Sequence, residues 1–586
     1  MKNITLIEPK PPGKHVFSSV NMPRLGLPIL GTQLKELGYN VTILYGAGGD
    51  IKVSDLRGSD LVGISTTTST CKEAYHIARY ARAMQIPVVM GGSHVTFMAD
   101  EALDHCDYVC RGEADNTFID LLKCIESGQE PAIVPGVSYW RDNEKMHNAK
   151  PDFIDVNETP IPDFSLFKNM NQLSTFPVMT SRGCPFDCTF CSVTAMFGRK
   201  YRWRDQESVL EELKKFTGKK VFFCDDNFTA NPRRTKELLR SMLQRKILPS
   251  SWGAQVRTDA ARDEELLGLM KQAGCSVVYV GMESVNPKTL ETYNKKQGVE
   301  DIEYCINKFH EHKIMVHGMF VFGSDDDTKE TIDQSLAFAL RTKIDTVQFL
   351  VLTPFPGTPL YDQLESEGRI LTHDWNFYDG HHVVFQPKLM SALELQTESV
   401  RAFKDFYAAK NLANNLFLTG SKSVAYKAVG WHLTRWWEKH NDWYYSFLGE
   451  GQGQTAKQTP ALAFYKRIES IKLKNLKYLS LENMMDITIF QQNGAFMIEL
   501  KGYMNKFALK EIFAAVKQNI PKQYNDLVIN IGQLNFDSEA IARKFVKDLN
   551  KLAMKARSVK VNAAYDGSVL QQILEKYNGS IPHFEL

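Results

Sequence analysis

The sequence lacks a strong excess of charge of either sign. Lys plus Arg number 70 and Asp plus Glu 68, for a net charge of +2. That balance gives no reason to expect nucleic acid or another polyanionic partner. Cysteine is sparse, 10 in 586 residues, which excludes the disulfide scaffold of a small secreted protein. No stretch approaches the roughly 18 uninterrupted apolar residues of a spanning helix. The opening MKNITLIEPK is broken by Glu8 and Pro9 and has no signal-peptide core. Fixed-period repeats and low-complexity runs are also missing. These absences predict a cytoplasmic chain with reduced thiols. What is present is ordinary for globular protein, 43% apolar and 24% charged residues. The length predicts three to five domains at roughly 100–200 residues each.

Residues 1–150 alternate short apolar strands with helical stretches. Ile4–Ile7, Val41–Leu44, Leu61–Ser65, Pro87–Met90 and Tyr108–Cys110 have the strand pattern. Such alternation predicts a Rossmann-like, doubly wound parallel sheet. Sheets of this kind take ligands beyond the carboxyl ends of their strands. Residues 151–172, with Pro151, Pro160 and Pro162, predict a linker. A second series over 173–389 has strands at Val178–Thr180, Val221–Cys224, Gly253–Val256, Val277–Val280, Met315–Val321 and Thr346–Leu352. Six strands predict a partial (β/α)6 barrel rather than a closed eight-stranded one. Residues 390–484 predict a helical segment. Residues 485–586 predict a small β/α domain with strands at Asp486–Phe490, Ala495–Leu500, Leu527–Ile531 and Val559–Ala563. Its helices are expected at Leu509–Gln518, Glu539–Ala556 and Val569–Tyr577.

The segment Ser181-Arg182-Gly183-Cys184-Pro185-Phe186-Asp187-Cys188-Thr189-Phe190-Cys191 follows the first strand of the second series. Three thiolates in a C-x3-C-x2-C spacing can bind three irons of a 4Fe–4S cluster. A structural zinc site takes four protein ligands, and no fourth Cys or His follows closely. The missing ligand leaves one iron open to a small molecule. Cys184, Cys188 and Cys191 are therefore the expected metal ligands. Cys224 and Cys275 are expected to be buried strand or turn residues.

This segment resembles the radical S-adenosylmethionine superfamily, over about residues 173–390. The resemblance implies that the open iron binds S-adenosylmethionine. One electron, from a donor such as flavodoxin or ferredoxin, then cleaves the sulfonium to a 5′-deoxyadenosyl radical. Further segments fit in order: Phe222–Phe228 with its Asp-Asp-Asn-Phe, Trp252–Arg257, Gly281–Ser284, Gly318–Gly323 and Thr353–Pro359. The resemblance implies S-adenosylmethionine contacts at Asp226, Gln255 and Glu283.

Residues 1–150 resemble the cobalamin-binding-like domain that precedes the barrel in one branch of the superfamily. The matching residues are Pro23–Pro28, Gly38–Val41, Leu61–Ser65, Gly91-Gly92-Ser93-His94 and Arg111-Gly112-Glu113. Small residues after a strand let a bulky ligand approach the backbone, and helix N-termini there suit a phosphate. Gly91, Gly92 and His94 are the implied cofactor-binding residues. The Asp-x-His-x-x-Gly motif that supplies an axial histidine is absent, so cobalamin is expected to bind without one.

Trp375–Lys388 resembles the post-barrel segment of the branch with the magnesium-protoporphyrin ester cyclase and hopanoid-modifying enzymes. Its paired His381-His382 are expected on an active-site wall or on plain surface, with metal ligation the alternative. Trp431, Trp436, Trp437 and Trp443, with Tyr444 and Tyr445, are expected in a packed helix. The alternative is an interfacial helix that makes the chain membrane-peripheral. Residues 485–586 resemble a STAS-like regulatory domain, in which Ser538 is either a helix cap or a phosphorylation site.

Together these observations lead to a radical S-adenosylmethionine enzyme with a 4Fe–4S cluster and cobalamin, expected to methylate an unactivated carbon of a small molecule, a hydrophobic one being among the candidates. Cyclisation, oxidation or carbon–carbon coupling of a porphyrin, terpenoid or lipid is the alternative. A non-catalytic ligand-sensing regulator is a third reading, which the intact cysteine motif opposes. A protein partner is expected to use the STAS-like domain.

Overall fold

The computed structural model describes residues 1–13, 22–48, 51–168, 170, 173–412 and 421–450, and, further on, 485–492, 495–504, 524–536, 544, 545, 547, 556–562 and 584–585. Residues 1–78 with 87–468 form one compact unit, and residues 79–86 with 469–586 form a second. No helix among the described residues is long and apolar enough to cross a membrane.

The first sheet has seven strands. β1 (Asn3–Glu8), β2 (Asn40–Tyr45), β3 (Leu61–Thr66), β4 (Val88–Gly92) and β5 (Tyr108–Cys110) run parallel in the order β2-β1-β3-β4-β5. Their apolar runs are buried on both faces, as covered parallel strands require: Ile4, Leu6, Leu61, Val62, Val88 and Val109 are all inaccessible. The sequence pattern missed the continuation. β6 (Val137–Arg141) and β7 (Glu144–His147) form an antiparallel hairpin on the β5 edge. Their mixed polar residues hide them from an apolar-run reading, and Asp142 and Asn143, at φ 48° and 67°, make its turn.

The expected linker is pinned to both sheets. Lys168 N–H donates to Ile43 O at 3.0 Å. Asp163 N–H donates to Thr32 Oγ1 at 2.8 Å. Phe164 is buried and packs edge-on against Phe176 and Phe216 at 5.5 and 5.7 Å. Its prolines break helix and strand, but its phenylalanines make it core.

The second sheet contains β8 (Phe176–Val178), β11 (Lys220–Phe223), β12 (Ser251–Val256), β13 (Cys275–Glu283), β14 (Met315–Phe322) and β15 (Thr346–Val351), parallel and in sequence order. Between β8 and β11 lies a two-residue pair, β9 (Ser181–Arg182) against β10 (Arg202–Trp203). The six-stranded sheet is open, and its β15 edge is covered. Tyr407 Oη accepts from Val347 N–H at 3.0 Å and donates to Val347 O at 2.8 Å, and Val351 N–H donates to Gly380 O at 2.7 Å. An uncovered edge would offer these groups to another chain.

The helices Ala392–Phe406 and Ser421–Glu450 follow. Trp437 and Tyr444 are buried, and Tyr444 Oη donates to Val383 O at 2.9 Å, so this aromatic helix is packed at those positions. His381 and His382 are buried, not surface. His382 sits 3.0 Å from Asp379, and burial is offset there by the histidines, which hold the Asp379 carboxyl well below the usual range.

In the second unit, β16 (Met485–Gln492) is antiparallel to β17 (Ala495–Met504). β18 (Tyr524–Phe536), β19 (Ala556–Asn562) and β20 (Phe584–Glu585) add in parallel, in sequence order. The expected helices at 509–518 and 569–577, and Ser538, lie outside the described residues.

Candidate functional site

Parallel strands put all their carboxyl ends on one edge. In the second sheet that edge carries the cysteine segment after β8, Asp225 and Asp226 after β11, Arg257 after β12 and Glu283 at the end of β13. The cysteine loop is closed at its base by β9 and β10, and Gly183 sits there with φ 83°. A Cβ on Gly183 would lie 2.6 Å from Lys200 O, so the loop closes only around glycine.

Cys184, Cys188 and Cys191 are free and half-buried. Burial raises the Cys184 thiol, and the charges of Asp226 and Cys188 add to it. Burial pushes Cys191 up to about 11, with Cys188, Asp226 and Cys184 adding. The three thiols and Asp226 are thus close enough for each to feel the others' charge. Three free thiols there fit a cluster with one iron left without a thiolate; a bound metal would supply the charge that makes them thiolates.

The two aspartates do different work. Asp225 is fully buried and accepts from Thr180 N at 3.0 Å, Thr180 Oγ1 at 2.7 Å and the Ser181 hydroxyl. It fixes the strand that leads into the cysteine loop. Asp226 takes a hydrogen bond from the Gly183 backbone at the base of the cysteine loop, and burial, with the Asp225 charge adding, raises it to about 6.

Glu283 is held at φ 63°, next to a register shift between β13 and β14. It pairs with Lys295 Nζ at 2.5 Å, both side chains under 10% exposed. A left-handed glutamate is strained, and the surroundings enforce it. Gln297 Nε2 donates to Gly281 O and Met282 O at 3.0 and 3.1 Å. A Cβ on Gly281 would strike both Glu283 and Lys295 at 2.7 Å. Arg257 donates to Lys295 O at 2.7 Å and lies 3.7 Å over the Phe186 ring of the cysteine loop. Asn294 Nδ2 reaches Asp187 at 2.8 Å, and Tyr293 packs on Phe190 at 4.8 Å. Residues 293–297 thus clamp the cysteine loop. Sequence reading missed Lys295 and Gln297, which carry no local signal 12 and 14 residues beyond Glu283.

Gln255 is a half-buried β12 residue whose carbonyl accepts from Phe228 N–H at 2.9 Å. Its cross-strand partners are Tyr279, His317 and Thr346 in turn. His317 Nδ1 lies 2.7 Å from Thr346 Oγ1, and burial lowers the ring to about 4, so it is neutral. None of these was expected from the pattern.

In the first sheet the carboxyl ends present backbone. Gly92 has φ 101°, and a Cβ there would lie 2.2 Å from Thr66 O. Gly91 meets only Cys110 O, at 3.7 Å. Gly92 is packed against its β3 ladder partner Thr66 so tightly that only glycine fits there, while the main chain at Gly91 lies almost uncovered. This fits a large ligand held against main chain. His94 follows in the helix Ser93–Phe97, fully buried, 3.7 Å from Glu101 and 5.1 Å from the Trp375 ring.

The fold and the cysteine site define a radical S-adenosylmethionine enzyme. The Radical SAM superfamily model matches residues 178–339, and the B12 binding domain model matches residues 18–122. Bacteriochlorophyllide d C-12(1)-methyltransferase of Chlorobaculum tepidum is 31% identical over 419 residues, 69% of this chain and 87% of that protein. An uncharacterized methyltransferase of Pyrococcus horikoshii is 33% identical over 410 residues, 66% and 88% of the two. The chain belongs to the radical S-adenosylmethionine family that carries a B12-binding domain, and its cofactors are accordingly the cluster, S-adenosylmethionine and cobalamin. The solved structure of the cobalamin-dependent S-adenosylmethionine radical enzyme OxsB shares the fold, with TM-score 0.58 at 14% identity over 99% of this chain and 84% of that one.

Proposed function

We propose that this chain transfers a methyl group to an unactivated carbon of a small, uncharged and largely apolar substrate. In this reading Cys184, Cys188 and Cys191 hold the cluster. Asp226, Gln255 and Glu283 hold S-adenosylmethionine, and Gly91 and Gly92 take the corrinoid. When bound, the cluster with S-adenosylmethionine supplies the hydrogen-abstracting radical and the corrinoid supplies the methyl group.

The supporting observation is that the carboxyl ends of the two sheets are fastened together. Trp375, beyond β15, donates to Glu101 of the first domain at 2.9 and 3.0 Å. Lys72 reaches Asp374 at 2.7 Å. Gly357 packs so closely on Phe97 that a Cβ would lie 2.2 Å from that ring. In this reading a substrate lying between these ends would meet both cofactors.

The residues of this chain do the positioning. Asp226, ionised above about 6, can accept from an ammonium group. The row Gln255, Tyr279, His317 and Thr346, and the next row Gly281, Met319 and Gln348, contain no charged side chain. A surface of aromatic, thioether and amide groups with a neutral imidazole suits an uncharged substrate and rejects an ionic one. In this reading Gly91 and Gly92 would hold a corrinoid through main chain, while His94 is buried beside Glu101 and the Trp375 ring.

The methyltransferase relatives favour this chemistry over ring closure; the anaerobic magnesium-protoporphyrin IX monomethyl ester cyclase of Cereibacter sphaeroides is 28% identical over 55% of each chain. The electron comes from a low-potential donor such as flavodoxin or ferredoxin. Residues 485–586 are a STAS-like domain for a protein partner, a reading supported by their five-stranded mixed sheet. The test is product mass. Turnover with S-adenosylmethionine carrying a trideuterated methyl should add one such methyl to the product. A product lighter by hydrogen, or closed into a ring, with no label would refute methyl transfer.

A further inference from the structure

The loop that carries the three cysteines leaves and rejoins the fold through two arginines. Arg182 and Arg202 are direct cross-strand partners in the β9–β10 pair. Everything between them, Gly183 to Tyr201, is the cysteine loop and the short helix that follows it. Two arginines opposite one another repel, so this pair needs an anion between them. The anion comes from the other domain. Glu113, at the carboxyl end of β5, receives Arg202 Nη1 on Oε2 and Arg202 Nη2 on Oε1, both at 2.8 Å, and Arg182 Nη1 on Oε1 at 3.3 Å. Asp115 holds the other side of Arg182 through two bonds of 3.0 Å.

The Glu113 side chain is 1% exposed, and the two arginines are 11% and 8% exposed. Ile154 N–H also donates to Glu113, at 3.1 Å, and Ile154 O accepts from Arg202 at 2.9 Å. Phe153 lies 4.8 Å under the Arg202 guanidinium. The fork of an arginine on a carboxylate fixes orientation as well as distance. A buried ion pair adds little net stability against an apolar replacement, and its best-attested use is to fix one arrangement.

We infer that the Glu113–Arg182–Arg202 clamp is a positioning device: it sets the cysteine loop, and hence the cluster, at a fixed distance and angle from the strand ends of the B12-binding domain. Glu113, Arg182 and Arg202 touch no reacting atom. They act by holding one cofactor site relative to the other, and the inference rests on the functional reading above. Small displacements between reacting groups cost about a hundredfold per ångström, so a clamp that looks structural has a kinetic consequence.

The test uses the full chain, reconstituted without oxygen with iron, sulfide and hydroxocobalamin. Three variants are compared with the unsubstituted protein: Glu113→Gln, Arg182→Lys and Asp115→Asn. The first readout is iron and corrinoid content. The second is the electron paramagnetic resonance spectrum of the doubly paramagnetic state, with reduced cluster and cob(II)alamin, whose magnetic interaction depends on their separation. The third is methylated product per 5′-deoxyadenosine released.

The expected result is full loading in Arg182→Lys and Asp115→Asn, an altered magnetic interaction, and a product ratio lowered about tenfold or more. Glu113→Gln should show the same change in larger degree, or lose its fold; the two milder variants then carry the test. Loaded milder variants with unchanged magnetic interaction would overturn the inference. So would loss of the cluster in both, because the residues would then hold the loop itself. If the unsubstituted protein makes no methylated product, the methyl-transfer reading fails, while the magnetic comparison still decides the clamp.

Discussion

The two larger sheets of the first unit offer ligands opposite kinds of surface. At the carboxyl end of the second sheet the chemistry lies in side chains: three thiols, Asp226 raised to about 6, and a strained Glu283 locked to Lys295. At the carboxyl end of the first sheet it lies in what is missing. Gly91 and Gly92 carry no side chain, and the nearest histidine, His94, is turned into the interior. On the proposed assignment the difference follows the ligands. An iron–sulfur cluster is held by covalent donor atoms that only particular residues own. A corrin-sized molecule is held by area and by backbone that comes close enough. One region tolerates no change of functional group and the other no change of volume.

Substitutions can break or sharpen this contrast. The largest effect is expected for Cys188→Ala, which should abolish the iron–sulfur absorption near about 400 nm and all 5′-deoxyadenosine formation while corrinoid binding persists. Retained reductive cleavage would break the contrast at its strongest point. Gly92→Ala comes next. Its Cβ would lie 2.2 Å from Thr66 O, so the variant should lose corrinoid and keep its cluster, as corrinoid and iron analysis of one sample would show. Gly183→Ala is the matching change on the other sheet, with a clash at 2.6 Å and φ 83°. It should lower cluster content and keep corrinoid, at a cost of about 1–3 kcal/mol.

A smaller effect is set by pH. Burial raises Asp226 from 3.8 to about 6. The folded protein therefore resists its ionisation, a cost present in full above about 6 and gone below 3.8. Asp226→Asn should raise the melting temperature at neutral pH and leave it unchanged near the lower limit. In the unsubstituted protein, affinity for S-adenosylmethionine should fall as pH drops below about 6; a flat profile would remove Asp226 from the ammonium site. The smallest effect is expected for Tyr407→Phe, which removes both hydroxyl bonds to Val347. It should cost about 1–2 kcal/mol in denaturant unfolding without touching either cofactor.

Some of this was legible without coordinates. Strand positions were readable because buried parallel strands need continuous apolar runs, and Val221–Cys224, Met315–Val321 and their neighbours are such runs. The cysteine loop was readable because its donors are adjacent in sequence. The hairpin Val137–His147 was not, since an edge pair half open to solvent has no such run. The tie of residues 151–172 to both sheets was hidden because prolines mark the end of regular structure and say nothing of what the phenylalanines between them will touch.

The sequence by itself determined the α/β class, where the parallel strands lie along the chain and the three thiols proposed as cluster donors, since these depend on local periodicity and on thiols a few residues apart. Tertiary structure alone decided which groups meet across distance. It set Glu113 against Arg182 and Arg202, 69 and 89 positions away, and bent Glu283 into the left-handed region beside Lys295. It also enclosed His94 and joined the two strand ends. The physical reason is that a charge or a ring takes its meaning from burial and partners, and those are fixed only when distant segments pack.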